Sequence, residues 1–210
     1  MAGVLAAIRL GSVVIGLLKD LFAEQITTGS LAGDLRRHDA DLTAEDAELL
    51  AEVLVPFIRS VPDALAWAIT LSKDKRCGRA VAFGTGQVLQ YLFDDEDLLP
   101  ESSFGAIGLI DDALLVHLFV RQLREAFPFT SPATGYHPPE RGVIDVAASL
   151  LPEGVATALL RTGVSLVQTA TALFGTTGEL ADVDGAITPV LRSGAAVRAC
   201  RSSRAAVAGN

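Results

Sequence analysis

Cysteine is nearly absent from this 210-residue chain: Cys77 and Cys200 are far apart and match no metal-binding spacing. That excludes a disulfide framework and points to a reducing compartment with free thiols. Histidine is as scarce. His38, His117 and His137 form no pair at helical spacing, so a zinc centre is not expected. Aromatic residues make up only 6% of the chain, and no run alternates apolar with polar residues long enough to form a half-buried strand. Cations are outnumbered, with Lys and Arg at 17 against 25 acids and a net charge of −8. A nucleic acid is therefore not the expected partner, because phosphate binding needs clustered cations. Long apolar runs are missing too. The charge-free stretches 10–18, 80–93 and 162–178 are each too short or too polar for a spanning helix, which needs about 20 apolar residues. A secretory signal is not expected either: Arg9 lies inside the first apolar stretch, and no small-residue cleavage site precedes Lys19.

What the chain does have is Ala, Leu and Val. Half its residues are hydrophobic and the mean hydropathy is +0.41. Ala and Leu are the best helix formers, so the expected fold is all-α, a multi-helix bundle with a helical hairpin around an acidic loop. A first helix is expected over 3–26, ended by Thr27-Thr28-Gly29-Ser30, with Gly33 to Asp41 as a polar connection. Thr43 caps a second helix, with Glu45 and Asp46 in its first turn and Pro56 expected to kink or end it. Ser60-Val61-Pro62-Asp63 opens a third helix, a fourth spans Gly78 to Phe93, and a fifth spans Asp111 to Phe127. Prolines 128, 132, 138 and 139 mark a linker over 128–140, dividing an N-terminal bundle (1–127) from C-terminal helices and a frayed tail (141–210). In that second part, helices are expected at 143–150, 153–174 and from Thr188-Pro189 to about Cys200.

The densest charge feature lies between the fourth and fifth helices. Seven carboxylates (Asp94, Asp95, Glu96, Asp97, Glu101, Asp111 and Asp112) occur there without one Lys or Arg. The first reading is architectural. Asp97 caps a short turn, Pro100 sets the chain direction, Gly108 supplies an unusual backbone angle, and Asp111 or Asp112 caps the next helix. The second is a hard-cation site, in which Asp94, Asp97, Asp111 and Asp112 offer oxygen ligands to Mg²⁺ or Ca²⁺. The third is a docking point for a basic partner.

Other motifs weigh toward structure. Phe83-Gly84-Thr85-Gly86-Gln87 lacks the preceding strand and the lysine of a phosphate loop, so Gly84 is read as a close helix–helix contact. His117 falls out of phase with the paired aspartates and is read as a packed or interfacial histidine. Arg76 and Arg79 flank Cys77, but no His or acid pattern points to it, so an inert thiol is expected. Arg198, Arg201 and Arg204 share a helical spacing that suits anionic lipid, the acidic hairpin, or plain solvation.

The run Asp97-Leu98-Leu99-Pro100-Glu101, followed by Gly108-Leu109-Ile110-Asp111-Asp112, resembles the YkvA-like family, domain of unknown function 1232. The resemblance covers roughly residues 81–123, with apolar Tyr91, Leu92 and Phe93 ahead and Ala113 to Val120 behind. Glu101 replaces the usual Asp, and the loop is one residue longer, with Phe104 where proline is common. The resemblance implies a helical hairpin of uncharacterised role, in some members at membranes. The resulting expectation is a non-enzymatic interaction or assembly module. Its partner is another protein, a further copy, or an anionic membrane surface, and its location is cytoplasmic or peripheral to a membrane. The rival is a divalent-metal-dependent hydrolase of the phosphoryl type, built on the acidic hairpin.

Overall fold

A computed structural model describes residues 11–24, 26–93, 99, 104–128, 136–152 and 154–174. Every regular element among them is helical: α1 (Gly11–Glu24), α2 (Thr28–His38), α3 (Ala44–Arg59), α4 (Val61–Leu71), α5 (Gly78–Leu92), a 3₁₀ turn (Gly105–Ile107), α6 (Gly108–Ala126), α7 (Arg141–Leu150) and α8 (Val155–Phe174). The all-α expectation holds. No helix among the described residues is long and apolar enough to cross a membrane. The segment expected to form a helix near residues 188–200 lies outside the described residues.

The stretch Thr27–Ser30 does the opposite of what was expected. It starts α2: the Thr27 hydroxyl accepts from the Ser30 amide at 3.1 Å, and Ser30 Oγ accepts from the Thr27 amide at 2.9 Å. This reciprocal capping box satisfies two orphan donors. It lets Leu31, Ala32 and Leu35 bury one face of a helix where a polar connection was expected. Thr43 caps α3 as anticipated, accepting from Asp46 N at 3.1 Å. Pro56 does not end that helix. Phe57 and Ile58 beyond it are buried, and the Pro56 carbonyl still accepts from Ser60 N at 3.1 Å, so apolar burial outweighs one missing N–H. Only Ser60 separates α3 from α4, whose first turn holds Pro62.

At the centre lies α6. Residues 107–120 are buried without a break, and α8, α4, α7, α3, α5 and the 3₁₀ turn all pack against this helix and its start. The most extensive neighbour is α8, which also lies along α5. Thus α8 packs across both α5 and α6. Two glycines permit the close approach. A Cβ on Gly84 of α5 would sit 2.7 Å from the Phe119 ring, and one on Gly163 of α8 would meet Leu118 Cβ at 3.4 Å. Gly84 is thus the packing contact its sequence context suggested. On the far side, α1 packs on α4, and α2 packs on α3 and on the 3₁₀ turn. Residues 128–140 do not separate two domains. Phe127 just before this stretch and Tyr136 within it are buried, and one core runs from Leu18 through Val146 to Ala170.

Replacing Gly84 by leucine forces Phe119 from its place and is expected to cost about 2 kcal/mol in urea unfolding. Pairing it with Phe119→Ala is expected to cost less than the two single changes summed. Strict additivity would show that the two residues do not touch.

Candidate functional site

Three ionisable side chains sit inside the buried length of α6: Asp111, Asp112 and His117. A buried charge is costly unless it is paired or neutralised. The way each is accommodated shows what it can do.

Asp111 is fully buried, and the Tyr91 hydroxyl at the end of α5 donates to its Oδ2 at 2.9 Å. Asp112 is buried beside it. Neither caps α6, which begins three residues earlier at Gly108 and is preceded directly by the 3₁₀ turn. Successive residues on a helix point about 100° apart, so these neighbouring carboxylates leave the axis in different directions. Of the proposed cation ligands, Asp94 and Asp97 lie outside the described residues. Among the described residues, no three His, Cys, Asp or Glu side chains are grouped to hold a metal ion.

The unusual backbone angle falls on a different glycine from the one expected. Gly108 has φ −57°, whereas Gly105 has φ +61°. The reason is Asp34, 72 residues away, whose Oδ2 accepts from the Ala106 amide at 2.7 Å. A Cβ on Gly105 would collide with that carboxylate. Asp34 is nearly buried and also bonds Arg37 one turn on. It therefore satisfies a free N–H at the entrance to the central helix from a different helix, the work expected of Asp111 or Asp112. One sequence signal was present: Asp34 directly precedes Leu35 and follows Leu31 by three, placing it on the buried side of α2.

His117 is 1% exposed and bound at both nitrogens. Its Nε2 lies 3.0 Å from the Phe57 carbonyl and 3.1 Å from Ser60 Oγ, and its Nδ1 lies 2.9 Å from the Tyr136 hydroxyl. A carbonyl can only accept, so Nε2 carries the hydrogen and Nδ1 accepts from Tyr136. The ring packs on Phe57 with centroids 4.6 Å apart. Burial pushes its pKa down to about 4, and the bond to Phe57 O only partly opposes this. Tyr136 is shifted upward by its own burial and keeps its proton. The neutral imidazole thus clips α6 to the α3–α4 turn and to the chain leaving the proline-rich segment. It is the packed histidine that its helical phase suggested, with neither nitrogen open to a substrate.

Cys77 is buried at the start of α5, and its thiol is pushed up to about 11, mainly by that burial. An inert thiol follows. One open feature is a groove of about 350 Å³ between α5 and α8, with Phe83 and Leu166 as its apolar floor and Gln87, Arg161, Thr162, Ser165 and Thr169 around it.

No known protein-family model, curated protein or solved structure matches this chain.

Between about pH 4 and 6.5 the unfolded His117 holds a proton that the folded one does not, so stability falls as pH drops through that window. From pH 7 to 4.5 the wild type is expected to lose about 2 kcal/mol more than His117→Gln does, measured by urea unfolding at each pH. Parallel pH profiles for the two proteins would show that this imidazole does not titrate as described.

Proposed function

We propose that this chain is a non-enzymatic helical module that acts by association, with a partner protein, with further copies of itself, or with a membrane surface. One observation carries the reading: among the described residues, the buried side chains able to do acid–base or nucleophilic chemistry are packed into the core. His117 uses both nitrogens for packing, Asp34 accepts from the Ala106 amide of the 3₁₀ turn ahead of the central helix, Asp111 accepts from Tyr91, and Cys77 is a buried thiol of raised pKa. Enzymes instead place such groups in a cleft where substrate reaches them.

The outer surface supplies what association needs. Leu17, Phe93 and Leu173 stand 57%, 54% and 61% exposed. Leu173 adjoins Phe174, whose ring lies 5.9 Å from that of Phe83 at the α5–α8 groove. Exposed large apolar side chains beside an apolar groove are the kind of surface that marks interaction sites. The likeness of residues 81–123 to the YkvA-like pattern supports the same reading, since that pattern implies a helical hairpin without an assigned reaction.

The reading expects a mass that rises with concentration in light scattering, or flotation with lipid vesicles. It also expects millimolar Mg²⁺, Mn²⁺ or Ca²⁺ to leave the melting temperature unchanged. A metal-dependent rise in Tm that Asp111→Asn with Asp112→Asn abolishes would favour the hydrolase instead.

A further inference from the structure

The connection between α4 and α5 reverses the sign of the rest of the molecule. Within Ser72–Arg79 the chain places Lys73, Lys75, Arg76 and Arg79 on the surface against one acid, Asp74, in a protein of net charge −8. Asp74 is occupied by Arg76, which donates from Nε at 3.0 Å, from Nη2 at 2.6 Å and from its backbone amide at 2.8 Å. Among the described residues, no carboxylate lies within 4 Å of the charged groups of Lys73, Lys75 or Arg79.

Helix electrostatics do not account for this charge. The end of α4 favours one cation beside it, but Arg79 stands in the first turn of α5, where the dipole opposes a positive charge. Nor does packing account for it, because Lys73, Lys75 and Arg79 are all exposed. Among the described residues, then, these three cations face solvent without a carboxylate partner.

The fold brings a second feature to this end. Lys19 of α1 pairs with Asp63 of α4 at 3.8 Å, and Ile26, beyond the end of α1, accepts from Arg59 just before α4 begins. So α1 runs antiparallel to α4. Eight residues back from Lys19, about 12 Å along the helix, Gly11 comes level with Leu71. The chain thus enters α1 beside the cationic connection. The ten residues before that point contain Val4, Leu5, Ile8, Leu10 and Arg9, and no acid.

Resting on the association reading above, we infer that Lys73, Lys75 and Arg79 form the face that docks on a membrane surface carrying anionic lipid headgroups. The chemistry favours lipid over an acidic polypeptide. A few cations bind a charged bilayer only weakly, at about 1 kcal/mol each. Stable attachment takes a second, apolar contribution, and residues 1–10, which precede α1 in the sequence, have that composition.

The test uses the full-length chain and flotation with phosphatidylcholine vesicles, with and without phosphatidylserine. The wild type is expected to float only with phosphatidylserine. Lys73→Ala/Lys75→Ala/Arg79→Ala is expected to partition about a hundredfold more weakly, with unchanged helical signal and Tm, because the three side chains hold nothing in place. Exchanging the same residues for the other basic type (Lys73→Arg/Lys75→Arg/Arg79→Lys) is expected to preserve flotation. If the alanine variant floats like the wild type, the docking face is elsewhere and this inference fails, while association with membranes stands. If the wild type never floats but binds immobilised polyglutamate or self-associates, the lipid assignment fails and the association reading survives. If it neither floats nor associates, both fall.

Discussion

The structure depends on residues 108–120 of α6 being enclosed on every side although they include ionisable groups. A helix buried all round must be apolar or must bring a partner for each polar group. For Asp111 Oδ2 and for His117 the partners come from other parts of the chain. Tyr91 arrives on α5, Tyr136 on the chain leaving the proline-rich segment, and the Phe57 carbonyl with Ser60 from the α3–α4 turn. Each contact fastens a different element to the central helix, so the polar groups specify where apolar surfaces already in contact should sit. That accounts for the single-residue join between α3 and α4, since Ser60 and Phe57 must reach the same imidazole nitrogen.

The magnitudes support this division of labour. Burying one large apolar side chain contributes about 1.5–3 kcal/mol, whereas a satisfied hydrogen bond adds about 1 kcal/mol net. Dozens of side chains from Leu18 to Ala170 supply the first kind of energy. The few polar links contribute little by addition. Their weight lies in what happens when one is cut, because a buried donor or acceptor left open costs about 1–3 kcal/mol. The neutral state of His117 belongs to the same logic: a charged imidazole at that depth would have to be compensated, and burial removes the proton instead.

Much of the fold was legible in local patterns. Thr43 with Glu45 and Asp46, Pro62 in a first turn, and the apolar rhythms of α5 and α8 all mark helices that the structure contains. What escaped was non-local or ambiguous. Thr27–Ser30 reads equally as a stop or a start, and only the burial of Leu31 and Leu35 decides. Pro56 signals a break that the core overrides. The entrance to α6 was assigned to the paired aspartates next to it, yet the donor-satisfying carboxylate is Asp34, which no local window could connect to Ala106. Asp111 and Asp112 were correctly singled out as unusual. Their sequence position suggests a helix cap or cation ligands, whereas their burial in the core depends on α8 closing over α5 and α6. Likewise, prolines at 128–139 suggest a divide between domains, whereas the helices beyond them complete the same core.

The central claim is that α6 is the most protected element and that its polar groups keep it so. Native-state hydrogen exchange measures this directly, because amides in the last region to open exchange only by global unfolding. The account predicts that backbone amides within 112–120 exchange slowest in the protein, at a free energy matching that of complete unfolding. Exchange of these amides through local opening, faster than those of α3 or α4, would contradict it.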